Sequence, residues 1–278
     1  MKKDFSYTTT QGNHIPITLY GADKFGEQPC VIYVHGFKGF KDWGFVPYAG
    51  EFLAENDISL ITFNFSHNGI GENLQDFTEP QLFEQNTFTL ELEETLEIIH
   101  LAQHTNFFGK DLRSKIGIWG HSRGGGIALL AANYSSEVVS ACSWAAVSNF
   151  DRYSKKDKQE WREKGYREVK NSRTGQVFKM GLPILNDIEK NARKTLNILE
   201  SVKTMEKPLL VVHGQSDETV PFYDAEQINI YAKPSLCRIR LIPNASHTFG
   251  AKHPFQQSTK ELTLALELTT SFFNETLR

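Results

Sequence analysis

A chain of 278 residues, 40% hydrophobic and 23% charged, is long enough to bury a core of its own without disulfides or a structural metal. Its formal net charge of -3 excludes the broad positive field that draws proteins to nucleic acid or anionic membranes. Three cysteines, Cys30, Cys142 and Cys237, lie far apart in apolar or strand-like runs, which argues for buried reduced thiols rather than a disulfide framework or metal site.

The start, Met1-Lys2-Lys3-Asp4-Phe5-Ser6, has a basic pair with no apolar stretch after it, so no signal peptide is expected. No run is apolar for long enough to cross a bilayer. A soluble, cytoplasmic monomer or homodimer is expected, with neither nucleic acid nor membrane as a partner. Asp4 to Thr10, a turn at Gln11-Gly12-Asn13, and His14 to Tyr20 predict a hairpin. Cys30 to Val34 is a short, continuously apolar run, as a strand buried on both faces should be. Helix Val46 to Glu55 follows, then a strand over Ile58 to Phe65. Thr89 to Gln103 carries Leu92, Leu96 and Ile99 at helical spacing, with acids on the other face. Beyond it come strand Lys115 to Trp119, helix Ser122 to Tyr134 and strand Val138 to Val147. Strand Pro208 to His213, helix Phe222 to Tyr231, strand Arg238 to Ile242 and helix Phe255 to Phe273 complete the series. Strands alternating with helices give an α/β fold of one domain, a mostly parallel central sheet with helices on both faces.

Residues 149–207 break that rhythm. The stretch is charged and aromatic, running from Asp151-Arg152-Tyr153 through Trp161, Tyr166, Phe178 and Met180. It is too long for a simple connection and is expected to be an inserted helical cap that shapes substrate access. Its basic run Lys155-Lys156-Asp157-Lys158 reads as a solvated helix face, because acids are interleaved.

The strand ending at Trp119 leads directly into Gly120-His121-Ser122-Arg123-Gly124-Gly125-Gly126 and then a helix. A nucleophile on a sharp strand-to-helix turn needs neighbours without bulk two residues before and after it, so that strand and helix can approach. The helix N-terminus favours negative charge developing at the serine. Ser122 is therefore the candidate nucleophile. A serine hydroxyl needs a base, and the base needs an orienting acid; behind a G-x-S-x-G turn these follow in the order acid, histidine. Of nine histidines, His35, His67 and His100 precede the turn and His121 lies within it. His213 ends a strand, which suits a supporting role. His247, on the loop after the last strand, is the candidate base, and His253, nearer the final helix, its rival. Asp217, between the Pro208 to His213 strand and the helix that follows, is the candidate acid; it would otherwise cap a helix or shape a turn. Glu218 and Asp151 are alternatives. Two backbone N–H groups, of Arg123 and Phe37, are the expected oxyanion donors.

These motifs resemble the α/β-hydrolase superfamily across nearly the whole chain, within the serine-aminopeptidase-like and dienelactone-hydrolase-like group of small esterases. The matching residues are His35-Gly36-Phe37-Lys38-Gly39-Phe40-Lys41-Asp42, Gly120 to Gly125, Gly214-Gln215-Ser216-Asp217-Glu218-Thr219-Val220-Pro221 and Ser246-His247. Phe63-Asn64-Phe65-Ser66-His67-Asn68-Gly69-Ile70-Gly71 is similar to the R-F-D-F-x-G-H-G-x-S loop of bacterial feruloyl and cinnamoyl esterases. It departs from that loop in placing Asn64 at the aspartate and His67-Asn68-Gly69-Ile70-Gly71 where glycine-histidine-glycine is usual. Those esterases carry a cap where residues 149–207 fall. The resemblance implies a serine carboxylesterase acting on small to medium acyl esters, aromatic ones included, through an acyl-enzyme on Ser122 and without metal or organic cofactor. Trp161, Tyr166 and Phe178 are expected either to line the acyl pocket or to pack inside the cap. An aminopeptidase or amidase, and a non-catalytic binding homologue, are the other readings.

Overall fold

The computed structural model describes residues 1–171 and 174–278, and it begins with the antiparallel hairpin of β1 (Lys2–Thr8) and β2 (His14–Tyr20). β3 (Cys30–Val34), α1 (Val46–Glu55) and β4 (Ser59–Phe63) follow, both strands buried at every residue. The next stretch holds α2 (Pro80–Gln85), α3 (Phe88–His104), β5 (Ile116–His121), α4 (Arg123–Tyr134) and β6 (Val138–Trp144). Thr87 caps α3 by accepting the Leu90 N–H at 3.0 Å, which satisfies one of the free donors of the first turn.

The segment after β6 contains α5 (Lys155–Lys164), β7 (Tyr166–Lys170), β8 (Val177–Gly181), α6 (Leu182–Asn191) and α7 (Ile198–Thr204). It is thus not helical throughout: β7 and β8 pair as an antiparallel hairpin. α7 packs on α4 and α8 (Tyr223–Tyr231), so it belongs to the body. β9 (Leu209–Gly214), β10 (Cys237–Ile242) and α9 (Lys260–Thr276) close the chain. The last helix begins later than its apolar pattern suggests, because Thr259 accepts the Leu262 N–H at 3.1 Å and fixes the start there.

The sheet runs β1-β2-β4-β3-β5-β6-β9-β10, with the six strands from β4 to β10 parallel and the β1–β2 hairpin antiparallel at one edge. A parallel sheet buries both faces, and two apolar cores follow. One, built on Tyr33, Trp119 and Trp144, is covered by α1 and α9; the other, built on Ile32, Ile118 and Val211, is covered by α3, α4 and α8. The loops leaving the carboxyl ends of β3, β5, β6, β9 and β10 then meet along one edge, the place where open α/β sheets bind ligands.

Candidate active site

Ser122 stands between β5 and α4 with φ 58° and ψ -123°, a region that costs about 1–3 kcal/mol and persists only where the surroundings impose it. Those surroundings are visible. Ser122 N–H donates to the Trp144 carbonyl at 2.8 Å. A Cβ on Gly120 would fall 2.2 Å from the Gly124 carbonyl oxygen, and one on Gly124 would fall 2.3 Å from the carbonyl oxygens of Val34 and His35. The two flanking glycines are therefore required by contact, not by flexibility.

The structure brings the three predicted side chains together. Ser122 Oγ lies 3.0 Å from His247 Nε2, and His247 Nδ1 lies 2.7 Å from Asp217 Oδ2. With Nδ1–H donating to the carboxylate, Nε2 is left to accept the serine proton. Asp217 is itself fixed. Its Oδ1 accepts the N–H groups of Thr219 at 2.8 Å and Val220 at 2.9 Å, and His213 Nε2 stands 3.3 Å from Oδ2. Burial alone would raise this carboxyl, but the hydrogen bonds from His213, His247 and Val220 and the charge of His247 hold it far below the usual carboxylate range. His213 also donates to the Val220 carbonyl at 2.8 Å, which gives it the supporting role. His121, held neutral by burial with its pKa near 3, donates Nε2–H to the His247 carbonyl at 2.8 Å. His253 is engaged elsewhere: Nδ1 accepts the Gly44 N–H at 2.9 Å, and its ring lies against Phe40 and Trp43. Asp151 pairs with Lys158, away from His247.

The loop bearing Phe37 passes directly beside the serine, since a Cβ on Gly36 would lie 3.0 Å from Ser122 Cβ. His35 braces this loop. Burial lowers its pKa to about 4; Nδ1–H donates to the Gly36 carbonyl at 2.9 Å, and Nε2 accepts the Phe65 N–H at 3.3 Å. Asn64 accepts the Lys41 N–H at 2.7 Å, a job its amide oxygen does as well as a carboxylate. Further along the same loop Ser66 is held by Glu94 of α3 through both its N–H and its hydroxyl. Glu94, one of the acids of this helix, is buried, and burial pushes its carboxyl up to about 7 from an ordinary 4.5. The folded state thus keeps a proton that the unfolded chain releases between these values, so stability falls as pH rises through that window. Glu94→Gln, which mimics the protonated acid, is expected to melt with wild type near pH 5 and above it near pH 8. The gap corresponds to about 3 kcal/mol, on the order of 5 °C; equal melting temperatures at both pH values would refute the assignment.

A cavity of about 420 Å³ opens over Ser122 and His247, lined by Phe37, Phe40, Trp43 and Phe88 from the body and by Phe150, Arg152, Tyr153 and Asn171 from the segment after β6. Trp161, Tyr166 and Phe178 do not line it. Trp161 is buried, donating Nε1–H to the Met180 carbonyl at 2.9 Å. Phe178 packs on Phe77 and Phe83. Tyr166 lies between the ammonium groups of Lys164 and Lys179. Trp161 and Tyr166 thus pack within their segment and Phe178 ties it to Phe77 and Phe83. Arg123, expected only as a backbone donor, puts its guanidinium into the cavity wall between the Phe37 and Phe88 rings, at 4.0 and 4.8 Å from their centroids. It pairs with buried Glu91 at 2.9 Å. Nothing in a single sequence marked that pair, because Glu91 shares a helix with other acids. Among the described residues no cluster of histidine, cysteine or acid side chains is arranged to hold a metal, and no helix is long and apolar enough to cross a membrane.

A model of the prolyl oligopeptidase family matches residues 91–277. No curated protein sequence matches the chain. Among solved structures, Est1E from Butyrivibrio proteoclasticus is 18% identical with a TM-score of 0.69 over 98% of both chains. Est1E with ferulic acid bound is 20% identical with a TM-score of 0.72, over 97% of this chain and 98% of that one. Dienelactone hydrolase from Anabaena variabilis ATCC 29413 is 15% identical with a TM-score of 0.63, over 100% of this chain and 99% of that one. Likeness at these identities establishes the fold, that of the α/β hydrolases.

Proposed function

We propose that this chain, which belongs to the prolyl oligopeptidase family, is a serine carboxylesterase that acts on small to medium acyl esters through an acyl-enzyme on Ser122. The observation that carries this reading is the unbroken series Ser122 Oγ, His247 Nε2, His247 Nδ1, Asp217 Oδ2 at 3.0 and 2.7 Å, set at the floor of an aromatic-walled cavity. Oγ attacks the ester carbonyl as its proton passes to His247 Nε2. Asp217 holds the imidazole in the accepting tautomer and stabilises the imidazolium. The N–H groups of Phe37 and Arg123 receive the negative oxygen. The imidazolium then protonates the leaving alcohol, and water repeats the attack on the acyl-enzyme to release the acid and restore Ser122. The part of residues 149–207 that precedes α7 serves as the cap, since Asn149, Phe150, Arg152 and Tyr153 stand over the same cavity. The three cysteines are unpaired, which suits a reducing compartment such as the cytoplasm.

The family's name favours a second reading, an aminopeptidase or amidase. Parallel turnover of 4-nitrophenyl esters and aminoacyl 4-nitroanilides separates the two. Esters of acyl chains that fit the cavity are expected to be cleaved with the higher kcat/KM. Faster anilide turnover would replace the esterase reading with the peptidase one.

A further inference from the structure

The cavity over Ser122 has a sign. Three cations reach it, Lys38, Arg123 and Arg152, and among the described residues no aspartate or glutamate lines it. Two of the cations are already matched. Arg123 pairs with Glu91 at 2.9 Å and Arg152 with Asp224 at 2.8 Å. Lys38 is not: Nζ donates to the Lys170 backbone carbonyl at 3.0 Å, and among the described residues no carboxylate pairs with it. Its ammonium is half-withdrawn from water and repelled by Arg123, and both effects lower its pKa. An ammonium placed so gains more from an anion than one in open solvent does. The backbone at Lys38 is constrained too. Its φ of 57° lies in the left-handed region, where glycine would sit with less strain. Among the described residues Ser122 and five other non-glycine residues share a positive φ, and at Lys38 it fixes the course of the chain one residue after the oxyanion donor Phe37.

We infer that the ester turned over at Ser122 carries an anionic group, a carboxylate in the simplest case, and that Lys38 receives it in the cavity. The inference rests on the esterase reading and narrows it. Lys38 supplies a charge-assisted hydrogen bond to the substrate's carboxylate while Arg123, neutralised by Glu91 and stacked between two rings, forms the wall. Neutral esters of the same length fill the same space but leave the ammonium with the Lys170 carbonyl and the Phe37 ring and no counter-charge.

The test compares monomethyl esters of straight-chain dicarboxylic acids with methyl alkanoates of equal chain length, and acetate esters of hydroxy acids with acetates of the matching alcohols. The first series places the charge on the acyl side and the second on the alcohol side. In at least one series the wild-type protein is expected to favour the anionic ester by about tenfold in kcat/KM, mostly through KM, and to lose part of that preference as salt rises. Lys38→Gln is expected to lower the anionic-to-neutral ratio about tenfold, and Lys38→Arg to keep most of it. If Lys38 merely straps its loop to Lys170, Lys38→Gln lowers both esters alike and the ratio stays put, which would overturn the inference. Neutral esters cleaved with no anionic preference in either series would overturn it too, leaving the esterase reading intact. A natively folded wild type that cleaves no ester at all would defeat both.

Discussion

Replacing Ser122 by alanine is expected to lower kcat on an aryl ester by roughly a millionfold and to abolish covalent labelling by a fluorophosphonate. The size of the effect follows from the role. The hydroxyl is the only atom that forms the acyl bond, and what survives its loss is the oxyanion site and substrate binding. The same change is expected to leave the fold in place. Ser122 Oγ has His247 as its hydrogen-bond partner, and the strained backbone at φ 58° is imposed by Gly120, Gly124 and the Trp144 carbonyl. A melting temperature within a few degrees of wild type, alongside lost turnover and lost labelling, separates chemistry from stability. An alanine variant that still takes up the probe, or still cleaves the ester at a comparable rate, would remove Ser122 from the mechanism.

The parts of the site that can be read from sequence are those set by backbone geometry. A buried apolar strand, a glycine-flanked turn and a helix specify Ser122, because a side chain at Gly124 would collide with the end of β3. Asp217 and His247 follow, as each stands just past a strand end along the same sheet edge. The cavity wall could not be read in this way. Trp161, Tyr166 and Phe178 are aromatic and sit in the inserted segment, yet aromaticity does not tell packing from lining, and the β7–β8 hairpin turns Phe178 inward onto Phe77 and Phe83. That hairpin itself carried a faint signal, the alternation of buried Phe178 and Met180 with exposed Val177 and Lys179. The charged pattern of β7 hides its partner. Glu91 and Glu94 fail as surface residues for a different reason. Helical spacing assigns a face, but their partners, Arg123 at the start of α4 and Ser66 on the loop after β4, lie far away in sequence, and long-range pairing leaves no local trace.

His247→Ala is expected to remove nearly all activity, about as much as loss of the serine itself, while His253→Ala keeps most of it. The contrast matters because both histidines lie on the stretch between β10 and α9, six residues apart. His247 is fixed from three sides: Nδ1 on Asp217, Nε2 on Ser122 and its carbonyl on His121. Alanine there leaves the serine proton without its acceptor and removes the imidazole from Asp217 Oδ2. His253 instead secures the loop that holds Gly44 and stacks on Trp43. Trp43 lines the cavity, so the His253 variant is expected to raise KM severalfold and to melt at a lower temperature, with kcat reduced much less. Steady-state kinetics on one good ester, with melting curves for both variants, reads the difference. Should His253→Ala abolish kcat and His247→Ala spare it, the proton acceptor assigned to Ser122 would be the wrong residue.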